Sequence, residues 1–332
     1  IVTVVLCMFF AAVSGSGPAT VAAIGTMVVP EMLRKGYDKK FALALVACAG
    51  SIGVIIPPSI PMVIYGVSTG TSISSLFMAG FLPGIWIGIT LIVLCYFVCK
   101  KNGWKGDERK YSAKKKLNAL WEAKWALINP IIILGGIYEG IFTPTEAAAV
   151  ACIYALLCGM FIYRELNFKQ LFEIIANACL TTGTILIIVG CATAFAKILT
   201  IEKIPNMLTQ AIMGMTDSKT VVILFIIIIL LIVGCFMDTT PAMMILAPIF
   251  LPIAKSFGVD PVHFGIIMVV TLAVGFITPP LGVNLFVAAR VGNTSLEDVC
   301  SGIIRFIIVM VIDVLVITFI PVISMLLPNL LI

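Results

Sequence analysis

Gly53-Val54-Ile55-Ile56-Pro57-Pro58-Ser59 and Gly275-Phe276-Ile277-Thr278-Pro279-Pro280-Leu281 decide the fold. Each interrupts an apolar run with two consecutive prolines, and Pro279 follows Pro57 by 222 residues. At the same offset Pro30 meets Pro252, Gly36 meets Gly258, Asp38 meets Asp260, Gly70 meets Gly292 and Gly80 meets Gly302. Proline fixes φ and removes a donor, and glycine relaxes the backbone, so halves that share these positions bend at the same places. The chain carries an internal repeat.

Outward from the repeat, the composition sets the medium. Hydrophobic residues make up 61% of the 332 residues and charged ones 11%, against roughly 45–50% and about 25% in soluble domains. A water-soluble fold is excluded. Runs long enough to cross about 30 Å of hydrocarbon recur, among them Ser74 to Cys99, Pro144 to Tyr163, Cys179 to Leu199 and Ile303 to Leu327. They are continuous Leu, Ile, Val and Ala runs rather than alternating strands, so the expected class is an all-α polytopic membrane protein.

The ten cysteines are scattered without a CxxC pair and read as small core hydrophobes. His263, the only histidine, excludes a multi-histidine metal site and reads as a loop residue at a helix start. The chain opens at Ile1 inside an apolar run. Helical material from Asn129 precedes the second repeat's tip, and 129 − 222 = −93, so about ninety residues are expected upstream of Ile1.

Lys100 to Trp125 concentrates basic residues, and the positive-inside rule assigns it to the cytoplasm. Counting crossings outward from that anchor puts seventeen of the 21 Lys and Arg inside and four outside, with the C-terminus on the periplasmic side. Thr220 to Phe236 breaks at Met237-Asp238-Thr239-Thr240-Pro241 and resumes to Ala254. That run of about thirteen residues would make a helix of only about 20 Å, too short to cross. A re-entrant hairpin over 219–254 follows, and by the same pattern a first hairpin over 1–35 turns at Ser14-Gly15-Ser16-Gly17-Pro18. The first opens to the inside and the second to the outside, so the repeat reads as inverted. The remaining segments are a first broken helix at 40–66, a membrane helix at 74–99 and a basic interfacial arm at 100–125. After them come further helices and a second arm at 127–216, a second broken helix at 262–289 and a C-terminal membrane helix at 296–328.

Inverted repeats with broken helices mark secondary transporters, whose substrate and ions bind where the backbone is unwound. A bare break in lipid costs several kcal/mol per unpaired group, so it persists where an ion, water or protein satisfies it. Ser14, Ser16, Asp238, Thr239 and Thr240 supply oxygens, and carbonyls freed around Gly53, Ile56, Gly275 and Thr278 add more. This donor set suits a hard monovalent cation such as sodium. The same residues also read as helix N-caps ahead of Pro18 and Pro241. Asp313, a second intramembrane acid, reads as a packing contact or as a transport residue. Arg290 reads either as a partner for a substrate carboxylate or as a snorkelling interfacial residue. No GxxxxGK[ST] loop, no GxGD motif and no base beside Ser14 or Ser16 occur, which argues against an ATP-driven pump and an intramembrane protease. A stand-alone anion carrier or a passive channel remains the alternative.

Three strings carry a resemblance. Gly135-Gly136-Ile137-Tyr138-Glu139-Gly140-Ile141-Phe142-Thr143-Pro144-Thr145-Glu146-Ala147-Ala148-Ala149 is one. The others are Ser14-Gly15-Ser16 with Pro30-Glu31-Met32 and Gly36-Tyr37, and Thr278-Pro279-Pro280-Leu281-Gly282-Val283-Asn284-Leu285-Phe286-Val287. Together they resemble the large membrane subunit of tripartite ATP-independent periplasmic (TRAP) transporters. The resemblance implies an elevator-type transport domain built from the hairpins and broken helices, on a scaffold. It implies sodium as the coupling ion with no other cofactor, and organic-acid substrates such as C4-dicarboxylates or sialic acids. The implied partners are a small four-helix membrane subunit and a periplasmic substrate-binding protein, within the inner membrane and without nucleic acid. Carried onto this chain, sodium sites fall at Ser14, Gly15 and Ser16 with Gly53, Ile56 and Pro57, and at Asp238, Thr239 and Thr240 with Gly275, Thr278 and Pro279. Asn284, with Pro58 and Pro280, would face substrate.

Overall fold

The structure, a computed structural model, describes residues 1–106, 112, 118–119, 121–216 and 218–331. The chain separates into two compact units, Ile1–Gly106 with Ala192–Ile332, and Asp107–Cys191. Among the described residues all regular structure is helical, and six helices are long and apolar enough to cross a membrane.

In the first unit, α1 (Val2–Ser14) and α2 (Gly17–Arg34) form a pair. Gly15 turns the chain with φ of 62°, a left-handed conformation that favours glycine, and Ser16 is the extended N-cap of α2. The free ends meet where the Thr3 hydroxyl lies 3.8 Å from the Met32 sulfur. Then α3 (Lys39–Gly50) runs into a 3-10 turn at Ser51–Val54, and after the cis Pro57-Pro58 bond α4 (Ile60–Thr69) resumes. The 30-residue α5 (Ile73–Asn102) follows.

The second unit holds α6 (Lys124–Tyr138), α7 (Pro144–Leu157) with a π turn at Cys158–Ile162, and the start of α8 (Phe168–Ile201). Thr143 and Glu146 close a capping box at the start of α7. The Tyr154 hydroxyl donates to the Trp125 carbonyl at 2.8 Å.

Back in the first unit come α9 (Ile204–Met215), α10 (Lys219–Phe236), α11 (Thr239–Ser256) and α12 (Pro261–Gly275). A cis Pro279-Pro280 bond separates α12 from α13 (Val283–Gly292), and α14 (Leu296–Phe319) and α15 (Val322–Leu331) end the fold. Apolar on all sides, α3 and α12 sit in the core: Phe41 to Gly50 and His263 to Gly275 are buried without exception.

Local hydrogen bonds recur 222 residues apart. Tyr37 N–H donates to Met32 at 3.1 Å and Val259 N–H to Ala254 at 3.0 Å, each across a left-handed glycine, Gly36 or Gly258. The next helices are capped alike, Asp38 accepting from Phe41 N–H at 2.9 Å and Asp260 from His263 N–H at 3.2 Å. The two pairs are anchored at opposite ends of α14. Lys40, beyond the base of α1–α2, lies 3.2 Å from Asp298 in the first turn of α14. The base of α10–α11 is closed by Lys219 Nζ donating to the Gly258 carbonyl at 3.0 Å. Beside it, His263 Nε2 lies 3.2 Å from the Thr318 carbonyl in the last turn of α14.

Three sequence expectations give way. Helix α11 has 18 residues, not a short run, and is itself long enough to cross. Thr239, Thr240 and Pro241 form its first turn, where a missing N–H leaves nothing unmet, so the length argument for a re-entrant segment fails. The C-terminal helix is not continuous over 296–328: it stops at Phe319 because Pro321 cannot donate, and restarts at Val322. His263 is a buried residue in the first turn of α12, and its Nδ1 lies 2.6 Å from Ser324 Oγ. Of the interfacial arm expected at 100–125, residues 107–111, 113–117 and 120 lie outside the described residues. Within them, the Lys124 ammonium sits 3.7 Å above the Trp121 ring.

Candidate functional site

At the first tip, α1 ends at Ser14, so its last carbonyls point at the turn, and α2 begins there with free N–H groups. The Ser14 hydroxyl lies 3.0 Å from Thr20 Oγ1 and 3.3 Å from the Ser16 carbonyl, to which Thr20 also donates at 2.8 Å. Three hydroxyl or carbonyl oxygens therefore gather within one turn. The double-proline break lies against them, Ile60 N–H donating to the Gly15 carbonyl at 3.3 Å. A Cβ on Gly15 would stand 2.7 Å from the Pro58 carbonyl oxygen, and one on Gly53 would stand 2.6 Å from that of Ser16. Only glycine lets these backbones approach so closely. An opening of about 250 Å³ is lined by Ser14, Gly15, Pro58, Ser59 and Ile60, with Val63 and Ile64 behind. Ile56 and Pro57 are buried beneath it.

The second tip has the same outline with different chemistry. Asp238 is the extended N-cap of α11, yet its side chain caps no backbone N–H; among the described residues it accepts from the Thr239 hydroxyl alone, at 3.2 Å. It is exposed, whereas Thr239 is buried. Leu281 N–H donates to the Cys235 carbonyl at 3.2 Å, and a Cβ on Gly275 would stand 2.4 Å from the Gly234 carbonyl. Thr278 turns its hydroxyl back to Val274 at 2.7 Å, while Pro279 and Pro280 are exposed.

The first broken helix and the second break meet at Asn284. Its N–H donates to the Phe276 carbonyl at 3.0 Å, across the second break, and its Nδ2 donates to Ala47 in α3, also at 3.0 Å. The side chain is fully buried, and its Oδ1 has no hydrogen-bond partner among the described residues. That oxygen stands 3.3 Å from where a Cβ on Gly17 would be, so the first tip, the first broken helix and the second break share one residue. The second helix of each pair also packs on the half-helix beyond the other pair's break, α2 on α13 and α11 on α4.

Arg290 is exposed in the last turn of α13, seven residues after that helix's start at Val283. Asp313 is a packing residue in this structure: buried in α14, it accepts from Trp86 Nε1 at 2.9 Å and from the Thr90 hydroxyl at 2.7 Å, both on α5. Thr20 is the site residue that sequence reasoning missed. Its signal was its position four residues after Ser16, one helical turn into α2.

A family-wide profile described as "Tripartite ATP-independent periplasmic transporter, DctM component" matches residues 1–323. An isethionate TRAP transporter permease protein DctMQ of Oleidesulfovibrio alaskensis is 50% identical, over 97% of this chain and 51% of its own length. The chain thus spans about half of that relative. A C4-dicarboxylate TRAP transporter large permease protein DctM of Pseudomonas aeruginosa is 40% identical over 99% of this chain and 77% of its own. A sialic acid TRAP transporter large permease protein SiaM of Vibrio cholerae is 36% identical over the same shares, 99% and 77%. These relatives are permease components and not enzymes, and the chain belongs to the DctM component family of tripartite ATP-independent periplasmic transporters.

Proposed function

We propose that this chain is the membrane permease of a sodium-coupled system that takes up an organic anion across the inner membrane by an elevator movement. One observation carries the reading: each helix tip lies against a double-proline break, and the first tip, the first broken helix and the second break meet at the buried Asn284. Helix C-termini and hydroxyls attract a cation, and helix N-termini attract an anion without any basic side chain. Sodium would be held by Ser14, Ser16 and Thr20 with carbonyls near Gly53 in one half, and by Asp238, Thr239 and carbonyls near Gly275 in the other. Substrate would face Asn284, Pro58 and Pro280.

The inverted-repeat reading is supported by the recurrence of caps and turns at an offset of 222 and by the anchoring of the two helix pairs at opposite ends of α14. The basic stretch beginning at Lys100 would lie in the cytoplasm. Isethionate, a sulfonate, widens the expected substrates from carboxylates to organic anions. The family name implies a small membrane subunit and a periplasmic binding protein as partners.

The test is uptake of labelled substrate into proteoliposomes holding the full chain with both partners. Accumulation against a substrate gradient, present with inward-directed sodium and abolished when the sodium gradient is collapsed, is expected. Equilibration without accumulation would make the chain a channel. Robust uptake without partners would make it a stand-alone carrier.

A further inference from the structure

Far from the breaks, the end of α5 and the start of α14 enclose a cavity of about 490 Å³. Its inner wall is apolar: Leu94, Val98, Ile304 and Phe306. Its rim is polar: Asp38, Lys40, Asn102, Ser301 and Arg305. Both bordering helices are membrane-length and both have a terminus here, so the wall lies at hydrocarbon depth and the rim at the water boundary.

We propose that this cavity binds an anionic membrane phospholipid, its phosphate held by Arg305 and its acyl chains lying along Leu94, Val98 and Ile304. The charges support it. Asp38 is engaged in capping α3, and Asp298 accepts from Lys40 and from Thr294 at 2.9 Å. Arg305 is exposed and has no salt-bridge partner among the described residues, so its guanidinium is the cation left for an anion from outside. A guanidinium takes a phosphate through paired, charge-assisted hydrogen bonds. A free phosphate would have no use for the apolar wall, and Ile304, 61% exposed while lining the cavity, opens that wall to the lipid side. Trp104 closes the rim, with its ring centroid 5.1 Å from Phe41 and 5.3 Å from Tyr37, an aromatic group at the depth where membrane proteins place them.

The full chain, delipidated in mild detergent, would be titrated with dioleoylphosphatidylglycerol, dioleoylphosphatidylcholine and inorganic phosphate, with binding read by native mass spectrometry. Saturable binding of phosphatidylglycerol is expected, about tenfold tighter than phosphatidylcholine, the worth of one charge-assisted hydrogen bond. Arg305→Gln should abolish that preference, and Val98→Trp, which fills the apolar wall without altering a charge, should weaken both lipids. Three outcomes would overturn the proposal: equal affinity for the two lipids in the native chain, displacement of the lipid by inorganic phosphate, or unchanged phosphatidylglycerol binding in Val98→Trp. The last remains decisive if Arg305→Gln does not fold.

Discussion

The two helix tips share a backbone and differ in chemistry. Around Ser14 to Thr20 the donors are neutral, engaged with one another, and set over a break whose Ile56 and Pro57 are buried. Around Asp238 a carboxylate stands exposed without a capping bond, beside a break whose Pro279, Pro280 and Leu281 are exposed. Ser16 and Asp238 occupy the same N-cap position, 222 residues apart. The two tips therefore share a backbone outline and differ in the side chains that line it. A neutral site depends on the exact placement of carbonyls; a charged one tolerates more disorder because Coulomb attraction falls slowly with distance.

The largest effects should come from the close backbone approaches. In Gly275→Ala the new methyl meets the Gly234 main chain, which cannot rotate away. Loss of about 3 kcal/mol, the upper range for overpacking, is expected, with transport lost as well. Gly53→Ala meets one main-chain atom under 3 Å, the Ser16 carbonyl oxygen, where Gly275→Ala meets three, so its loss should be smaller. Thermal unfolding of both variants in detergent would break the comparison if Gly53→Ala proved the worse.

Next comes the charge contrast. Asp238→Asn should raise the half-saturating sodium concentration of uptake about tenfold, part of the roughly 4 kcal/mol that unit charges 4 Å apart exchange at intermediate dielectric. Ser16→Ala removes one neutral donor and should move that concentration about threefold or less. Equal shifts in the two variants would mean that Asp238 acts without its charge.

The smallest effects sharpen the symmetry. Gly36 and Gly258 have left-handed φ of 78° and 71° with open space around them. Alanine at either should cost about 1 kcal/mol from backbone strain alone. Matching losses in chemical denaturation would mean that the two helix ends are energetic as well as geometric equivalents.

Much of this was legible in the sequence because glycine and proline act on the backbone whatever surrounds them. Pro57-Pro58 and Pro279-Pro280 located both breaks, and Gly36 with Asp38 located a helix end and the next start. What escaped was tertiary. Pro241 looked like a helix breaker, but a first-turn proline costs nothing, so α11 is longer than expected. Pro321 lay inside an apolar run and was overlooked as a stop. Thr20 looked like one more helical threonine until folding brought Ser14 beside it, and Asn284 could not announce its bond to Ala47, 237 residues away.

Asp313 carries a mechanical consequence. Its two oxygens are each taken by a different donor of α5, Trp86 and Thr90, four residues and so about one turn apart. Two bonds at separate heights resist both sliding and spinning, since turning α5 by one residue swings each donor about 100° off its acceptor. The carboxylate works like a key in a slotted shaft. Displacing α5 along or about α14 over the segment they share would break both bonds at once.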